Sequence, residues 1–287
     1  MTSRSVSRII PAQATSDGAG VKLKRSLGQS NGARHDPFLM LDEFFSDEPA
    51  DYLAGFPSHP HRGFETVTYM LDGHMLHEDH LGNKGHLKDG GVQWMTAGRG
   101  VIHSEMPQQD AGRMRGFQLW INLPAAEKMR PAHYEDIPAD KIPKLSLDHG
   151  GEAILIAGQC QLDNQIAQGY INGLDGQHLS TDPIYIDLRL KAGQTSKIAL
   201  PPAHNAFVYV YEGEAIIGEQ VITSTTSALL SQGDELLITV SGDTRLLLLA
   251  ASPIGETVMQ YGPFVMNSSD EIEQAMRDYR DGVLTSG

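Results

Sequence analysis

The stretch Thr66-Val-Thr-Tyr-Met-Leu-Asp-Gly73 is rich in β-branched and aromatic residues and ends at a glycine. This composition is typical of a short β-strand that leads into a turn. A similar stretch, Ala206-Phe-Val-Tyr-Val-Tyr-Glu-Gly213, follows about half a chain length later. A repeat at this spacing predicts two β-domains in tandem, and the alternative is a chance duplication of a common strand pattern.

Strand-like segments occur both within the two copies of the repeat and around them. Most are rich in valine, isoleucine, tyrosine, phenylalanine and threonine, and 30 glycines and 15 prolines are spread between them. The clearest segments cover residues 66–71, 116–123, 184–190, 206–211 and 236–240. Dense short strands with turns between them predict an all-β protein built from sandwiches or barrels.

The best helix signal lies at the end of the sequence. Ser268 or Ser269 can cap a helix there, and acidic residues at 270, 271 and 273 suit the positive end of its dipole. Apolar residues follow at helical spacing, at Ile272, Ala275, Met276 and Tyr279. We expect one C-terminal helix that packs against the body of the protein.

Prolines interrupt the strand pattern between the two copies of the repeat. They stand at positions 131, 138 and 143, close to the middle of the chain. We therefore divide the sequence into an N-terminal domain of residues 1–135 and a C-terminal domain of residues 136–287.

The composition excludes several classes of function. The chain has 36 Asp+Glu against 22 Lys+Arg and a formal net charge of −14, so we expect no direct binding to nucleic acid. Apolar runs such as residues 246–251 are too short to span a bilayer, and the first residues lack the apolar core of a signal peptide. The single cysteine, Cys160, fits a reducing compartment, and we expect a cytoplasmic protein without membrane contact.

Two pairs of candidate metal ligands lie in the first half of the chain. His59 and His61 are two residues apart in a strand-like segment, and His103 and Glu105 have the same spacing. Residues two apart in a strand point to one face, so each pair can converge on one ion. Glycines between residues 96 and 103 allow a tight turn before the second pair. If the two strands are neighbours, three imidazoles and one carboxylate face a single metal ion.

The other histidines carry weaker signals. Isolated histidines are more often surface or hydrogen-bonded residues than ligands, and the sequence has five of this kind: His35, His133, His149, His178 and His204. Four more have irregular spacing, which favours a polar loop: His74, His77, His80 and His86.

The acidic ligand has two candidates. Glu65 has the same parity as His59 and His61, so it also faces the interior if the strand is regular. Glu105 competes for the same role, and the spacing alone does not decide between the two carboxylates.

The candidate ligands lie within two longer motifs, His59-Pro-His-Arg-Gly-Phe-Glu-Thr-Val-Thr-Tyr69 and Gln93-Trp-Met-Thr-Ala-Gly-Arg-Gly-Val-Ile-His-Ser-Glu-Met-Pro107. Together with residues 36–44, 116–123 and 262–267, these motifs resemble the pirin family of the cupin superfamily. The resemblance implies a bicupin: two tandem, jelly-roll-like β-barrels with a C-terminal helix. It also implies a mononuclear metal site, usually iron, in the N-terminal barrel alone.

The resemblance assigns the metal ligands as His59, His61, His103 and Glu105. Glu65 is then a structural carboxylate close to the site. Fe(II) is the expected ion, and Mn, Ni, Cu or Zn would also suit this donor set. The C-terminal half offers only His204 where the first half has its histidine pair, so we expect no metal there.

The resemblance further implies quercetin 2,3-dioxygenase activity, in which O2 opens the central ring of a flavonol and carbon monoxide is released. Glu105 would be both a ligand and the catalytic base that accepts the proton of the flavonol hydroxyl. Phe44 and Phe56 are candidates for packing on the flat substrate, with core packing as the alternative for each.

The second interpretation is a non-enzymatic regulator that senses redox state through its iron and binds a transcription factor or a metabolic enzyme. A third, a sugar-phosphate isomerase of the cupin type, is disfavoured because the chain is acidic and lacks an evident cationic phosphate cluster.

Overall fold

Strands dominate the computed structural model, which describes residues 2–30 and 33–286. The strands up to residue 137 are β1 Val6–Pro11, β2 Gln13–Asp17, β3 Val21–Leu27, β4 Phe38–Ser46, β5 Phe56–His61, β6 Phe64–Asp72, β7 His74–Asp79, β8 Lys84–Lys88, β9 Val92–Thr96, β10 Val101–Pro107, β11 Met114–Asn122 and β12 His133–Ile137. The later elements are β13 Lys144–Ser146, β14 Glu152–Ala157, β15 Gln159–Leu162, β16 Gln165–Gln168, β17 Ile184–Leu190, β18 Thr195–Ala199, β19 Asn205–Glu212, β20 Glu214–Ile217, β21 Gln220–Thr223, β22 Thr226–Leu230, β23 Glu235–Thr239, β24 Thr244–Ala251, β25 Met259–Tyr261, β26 Phe264–Met266 and the helix α1 Ser269–Arg280. Short 3-10 turns cover Pro49–Asp51, Ala125–Glu127 and Asp148–Gly150. The predicted all-β class with a C-terminal helix is confirmed.

The chain forms two compact units that interleave along the sequence. The first unit contains residues 14–25, 38–139 and 254–287. The second unit contains residues 1–13, 26–37 and 140–253. The division of the sequence into domains 1–135 and 136–287 stays a prediction.

The first unit is built from antiparallel sheets in a jelly-roll-like arrangement. One sheet has seven strands in the order β12-β9-β6-β11-β4-β3-β2, and a second has four in the order β5-β10-β7-β8. Strands β25 and β26 form a separate hairpin. The four-stranded sheet brings the predicted ligand segments together, because β10 pairs with both β5 and β7.

The second unit has the same type of architecture. Its sheets have the orders β1-β22-β19-β24-β17-β14-β13 and β16-β15-β18-β23-β20-β21. Inward residues of these strands form one large aliphatic core, which includes Leu188, Val208 and Leu248. These three residues are fully buried, as expected where alternate positions of central strands face the interior.

Strand β10 shows the alternation that the sequence predicts. Val101, His103 and Glu105 are buried, whereas Ile102 and Ser104 are only partly so. The period of two therefore directs His103 and Glu105 toward the interior of the first unit.

The prediction of a polar loop around His74, His77, His80 and His86 is wrong for most of its length. This region forms the hairpin of β7 and β8, in which His77 lies opposite Gly85. Met75, His77 and Leu87 are buried on its inner side. The alternation is weak in the sequence because the polar His77 takes an inner position and the apolar Leu76 takes an outer one.

Helix α1 begins with the predicted cap. The side chain of Ser268 accepts a hydrogen bond from the Glu271 amide, and its hydroxyl donates to the Glu271 carboxylate. Ile272 and Ala275 are buried, but Met276 and Tyr279 are 42% and 43% exposed. Two of the four apolar side chains of the helix are therefore buried, and the other two are exposed to solvent. Within the described part of the chain, no helix has the length and hydropathy needed to cross a membrane.

Candidate metal centre

Three of the predicted ligands converge at the junction of β5 and β10. His103 lies directly opposite His59 in the antiparallel pairing of these strands, and His61 lies opposite Val101. One ring nitrogen from each of His59, His61 and His103 lies within 4.8 Å of the other two. The Nε2 atoms of His59 and His61 are 3.0 Å apart.

This arrangement fits a metal ion. Two nitrogens that each bind an ion at about 2.1 Å and at a right angle lie about 3.0 Å apart. His59 Nδ1 is 2.8 Å from the carbonyl oxygen of Pro57, so that nitrogen carries the proton and Nε2 keeps its lone pair. His103 Nε2 is buried and has no hydrogen-bond partner among residues 2–30 and 33–286. A cation at the convergence point would supply that missing partner.

The electrostatics of the cluster favour neutral imidazoles. Burial holds the pKa of His61 and of His103 well below the ordinary value of 6.5, and neighbouring imidazoles lower both further. Only the neutral imidazole can bind a metal, so both side chains are in the binding form near pH 7.

Glu105 belongs to an overlapping group with a different neighbour. The second group consists of Glu105, His77 and His103, and one donor atom of each residue lies within 4.8 Å of the other two. In the pairing with β5, a register shift between His103 and Glu105 places Glu105 opposite Phe56. The pairing with β7 is regular and places Glu105 opposite His77. The structure therefore brings three of the four predicted ligands into one group and links the fourth through His103.

Glu105 is held by a hydrogen bond from the wall of the adjacent sheet. The Thr68 hydroxyl on β6 lies 3.2 Å from Glu105 Oε1 and 2.5 Å from Gln118 Oε1, so the two acceptors share one donor. The side chain is 6% exposed, so its two oxygens face a largely dehydrated interior.

The competing carboxylate, Glu65, lies in neither group. It is buried on β6 and its Oε1 accepts a 2.6 Å hydrogen bond from the Thr96 hydroxyl. Burial raises its pKa, which disfavours the charged form that a metal requires.

His77 is the residue that the sequence interpretation missed. It is 1% exposed, and its ring stacks on Tyr134 with centroids 4.2 Å apart. The available signal was its parity with Met75 on β7, which faces the same side of the hairpin.

The remaining candidate residues lie outside the two groups. His74 and His86 contact each other across β7 and β8 at 2.8 Å near the surface. In the second unit, His204 Nε2 lies 3.3 Å from Asp182. Phe44 is buried in the core of the first unit and Phe56 packs against the same core, as their alternative interpretation stated.

Comparison with known proteins gives consistent matches along the chain. The Pirin family model matches residues 20–121, and the model of the Pirin C-terminal cupin domain matches residues 185–285. A Pseudomonas aeruginosa protein with the provisional name quercetin 2,3-dioxygenase is 53% identical over 98% of both chains. A pirin-like protein from Caulobacter vibrioides is 45% identical over 98% of this chain and 99% of its own. The crystal structure of a quercetin 2,3-dioxygenase from Acinetobacter baumannii has a TM-score of 0.87 and 31% identity, with 99% of each chain covered.

Proposed function

Because the chain belongs to the pirin family and has two cupin domains, we propose an activity known by name among its relatives. The proposed activity is that of an iron-dependent oxidoreductase of the quercetin 2,3-dioxygenase type. The observation that carries the proposal is the convergence of His59, His61 and His103 beside the carboxylate of Glu105. The names of its relatives from Pseudomonas aeruginosa and Acinetobacter baumannii support the same reaction class.

We assign Fe(II) to His59, His61, His103 and Glu105, with Mn, Ni, Cu or Zn as alternative ions for these donors. A bound ion would supply Lewis acidity that lowers the pKa of a flavonol hydroxyl, and it would leave positions for substrate and O2. The site belongs to residues 1–135, and residues 136–287 serve as scaffold or partner surface.

The proposed substrates are a flavonol-like small molecule and O2. Glu105 accepts the proton of the flavonol hydroxyl, which prepares the electron-rich form of the substrate for oxygen. The hydroxyl of Thr68 holds Oε1 and leaves the other carboxylate oxygen for that proton. The buried walls around Glu105 exclude water and strengthen these contacts. Ring opening then releases one carbon as carbon monoxide.

The alternative is a redox-sensing regulator that binds a transcription factor or a metabolic enzyme. The formal net charge of −14 favours contact with protein over direct contact with nucleic acid. We place either activity in the cytoplasm, since the single cysteine, Cys160, is a free thiol, which fits a reducing compartment.

One experiment separates the two functions. The protein is reconstituted with Fe(II) without oxygen and then given quercetin and O2. Metal-dependent loss of flavonol absorbance with stoichiometric carbon monoxide supports the dioxygenase. Tight Fe(II) binding without turnover across a panel of flavonols contradicts the dioxygenase and favours the regulator.

A further inference from the structure

The inner face of β7 places a fourth imidazole against the metal-ligand cluster. His77 Nδ1 lies 3.3 Å from His103 Nδ1, and both rings are buried. This contact lies on β7 and β10, which are hydrogen-bonded neighbours in the four-stranded sheet.

The contact divides the roles of the two nitrogens of His103. Nδ1 faces His77, whereas Nε2 is buried without a hydrogen-bond partner in the described part of the chain. The two nitrogens of one imidazole point away from each other, so they cannot both bind the same ion. If Nε2 joins His59 and His61 at an ion, His77 contacts the other side of the ring and does not reach that ion.

Residues around His77 hold its ring in one plane. The ring stacks on Tyr134 with an interplanar angle of 19°, and Gln93 Nε2 donates to the Tyr134 hydroxyl at 2.9 Å. Across the hairpin stands Gly85, where a β-carbon would collide with the Tyr134 hydroxyl and the Asp136 carboxylate. A glycine at this position thus makes room for the ring that supports His77.

A buried carboxylate lies on the far side of His77. Asp79 Oδ2 is 3.6 Å from His77 Nε2, and both side chains are 1% exposed. This distance is too long for a hydrogen bond, and Asp79 Oδ2 already accepts one from Asn83 Nδ2 at 2.8 Å. The negative charge of the carboxylate still attracts the dipole of a proton on Nε2, which would leave Nδ1 of His77 as an acceptor for His103.

We propose that His77 is a positioning residue that accepts a hydrogen bond from His103 Nδ1 and thereby directs Nε2 of His103 to the metal. The charge of Asp79 favours this tautomer of His77, and stacking on Tyr134 fixes the plane of its ring. Ligating histidines generally donate their other ring N–H to such a partner, and loss of the partner weakens metal binding by about 10–100-fold. This inference rests on the proposed function, because it requires an ion at His103.

The test measures binding of Co(II) alone to the full-length protein, by competition with a chromophoric chelator and by the visible spectrum of the bound ion. His77→Phe keeps the stacking on Tyr134 but removes both nitrogens, so we expect affinity about 10–100-fold weaker and a changed spectrum. His77→Asn places an amide oxygen near the position of Nδ1 and should restore most of the affinity. His86→Phe, on the neighbouring strand, is the matched control and should bind as the wild type does.

The possible outcomes distinguish failure of the positioning role from failure of the proposed function. Wild-type affinity and spectrum in His77→Phe would overturn the positioning role. So would equal losses in folded His77→Phe and His77→Asn, or two bound Co(II) ions in the wild type that become one in His77→Phe. If His77→Phe does not fold, the contrast between His77→Asn and Asp79→Asn replaces it, and a wild-type spectrum in Asp79→Asn counts against the tautomer role.

Failure of the wild type to bind Co(II), or unchanged binding in His59→Ala, would instead contradict the proposed function itself.

Discussion

Arg62 Nη1 lies 2.7 Å from Asp278 Oδ2, and this contact joins helix α1 to the residue that follows the candidate ligand His61. The guanidinium is 4% exposed and also donates to the carbonyl oxygens of Arg99 and Leu284. Arg62 therefore joins the end of β5, the turn before β10 and the C-terminal segment at one buried point.

Asp278→Asn should destabilise the protein, because it leaves the buried Arg62 charge without its carboxylate. We expect the free energy of unfolding to fall by about 1–3 kcal/mol. Urea unfolding monitored by tryptophan fluorescence measures this change. Asp281→Asn removes the exposed contact to Arg280 and serves as control, with an expected effect below about 0.5 kcal/mol. Equal effects of the two substitutions would contradict a structural role for the buried pair.

His59→Ala should remove one of the three converging nitrogens and weaken Fe(II) binding by more than about 100-fold, beyond the loss typical of an outer partner. Metal analysis after gel filtration and anaerobic titration provide the measurement. The exposed residue His80 lies outside both candidate groups, so His80→Ala should keep its iron. Retention of stoichiometric iron by His59→Ala would refute the assigned site.

The metal-free protein should lose stability as the pH falls below about 6.5, the ordinary histidine value. The pKa values of His61 and His103 are lower in the folded protein, mainly through burial. The unfolded chain therefore binds more protons in this range, and the free energy of unfolding decreases by up to about 1.4 kcal/mol per pH unit for each residue.

Thermal unfolding between pH 7.5 and 5.5 in the presence of a chelator checks this dependence. His61→Leu should show a shallower decline than the wild type, since it lacks one of the two histidines whose pKa is lowered most strongly. A parallel decline in both proteins would show that other groups cause the effect.

Gly85→Ala should cost about 1–3 kcal/mol of stability, because the new β-carbon displaces the Tyr134 hydroxyl and the Asp136 carboxylate. The displacement reaches His77 through its stacked partner, so Co(II) affinity should decline as well. Gly242→Ala is the control, since its β-carbon meets no described atom within 4 Å. Chemical denaturation and chelator competition measure the two effects, and unchanged Co(II) affinity in Gly85→Ala would separate Tyr134 from the metal site.

Local sequence patterns predicted some features of the candidate site and not others. Alternation along β10 predicted the inward direction of His103 and Glu105, because side chains two apart share a face. The same rule suggested Glu65 with equal weight, yet its carboxylate is held by Thr96 away from the cluster. Parity gives the face of a strand but not the neighbours across it.

The β class, the capped terminal helix and the shared face of each candidate ligand pair could be predicted from the sequence alone, since they depend on residues close together in the chain. The position of β10 between β5 and β7, the pairing of Glu105 with His77 and the contact of His77 with His103 became visible only in the folded protein. These relationships arise from pairing between distant strands. Their register follows from the packing of whole sheets, and no single segment carries the information that fixes it.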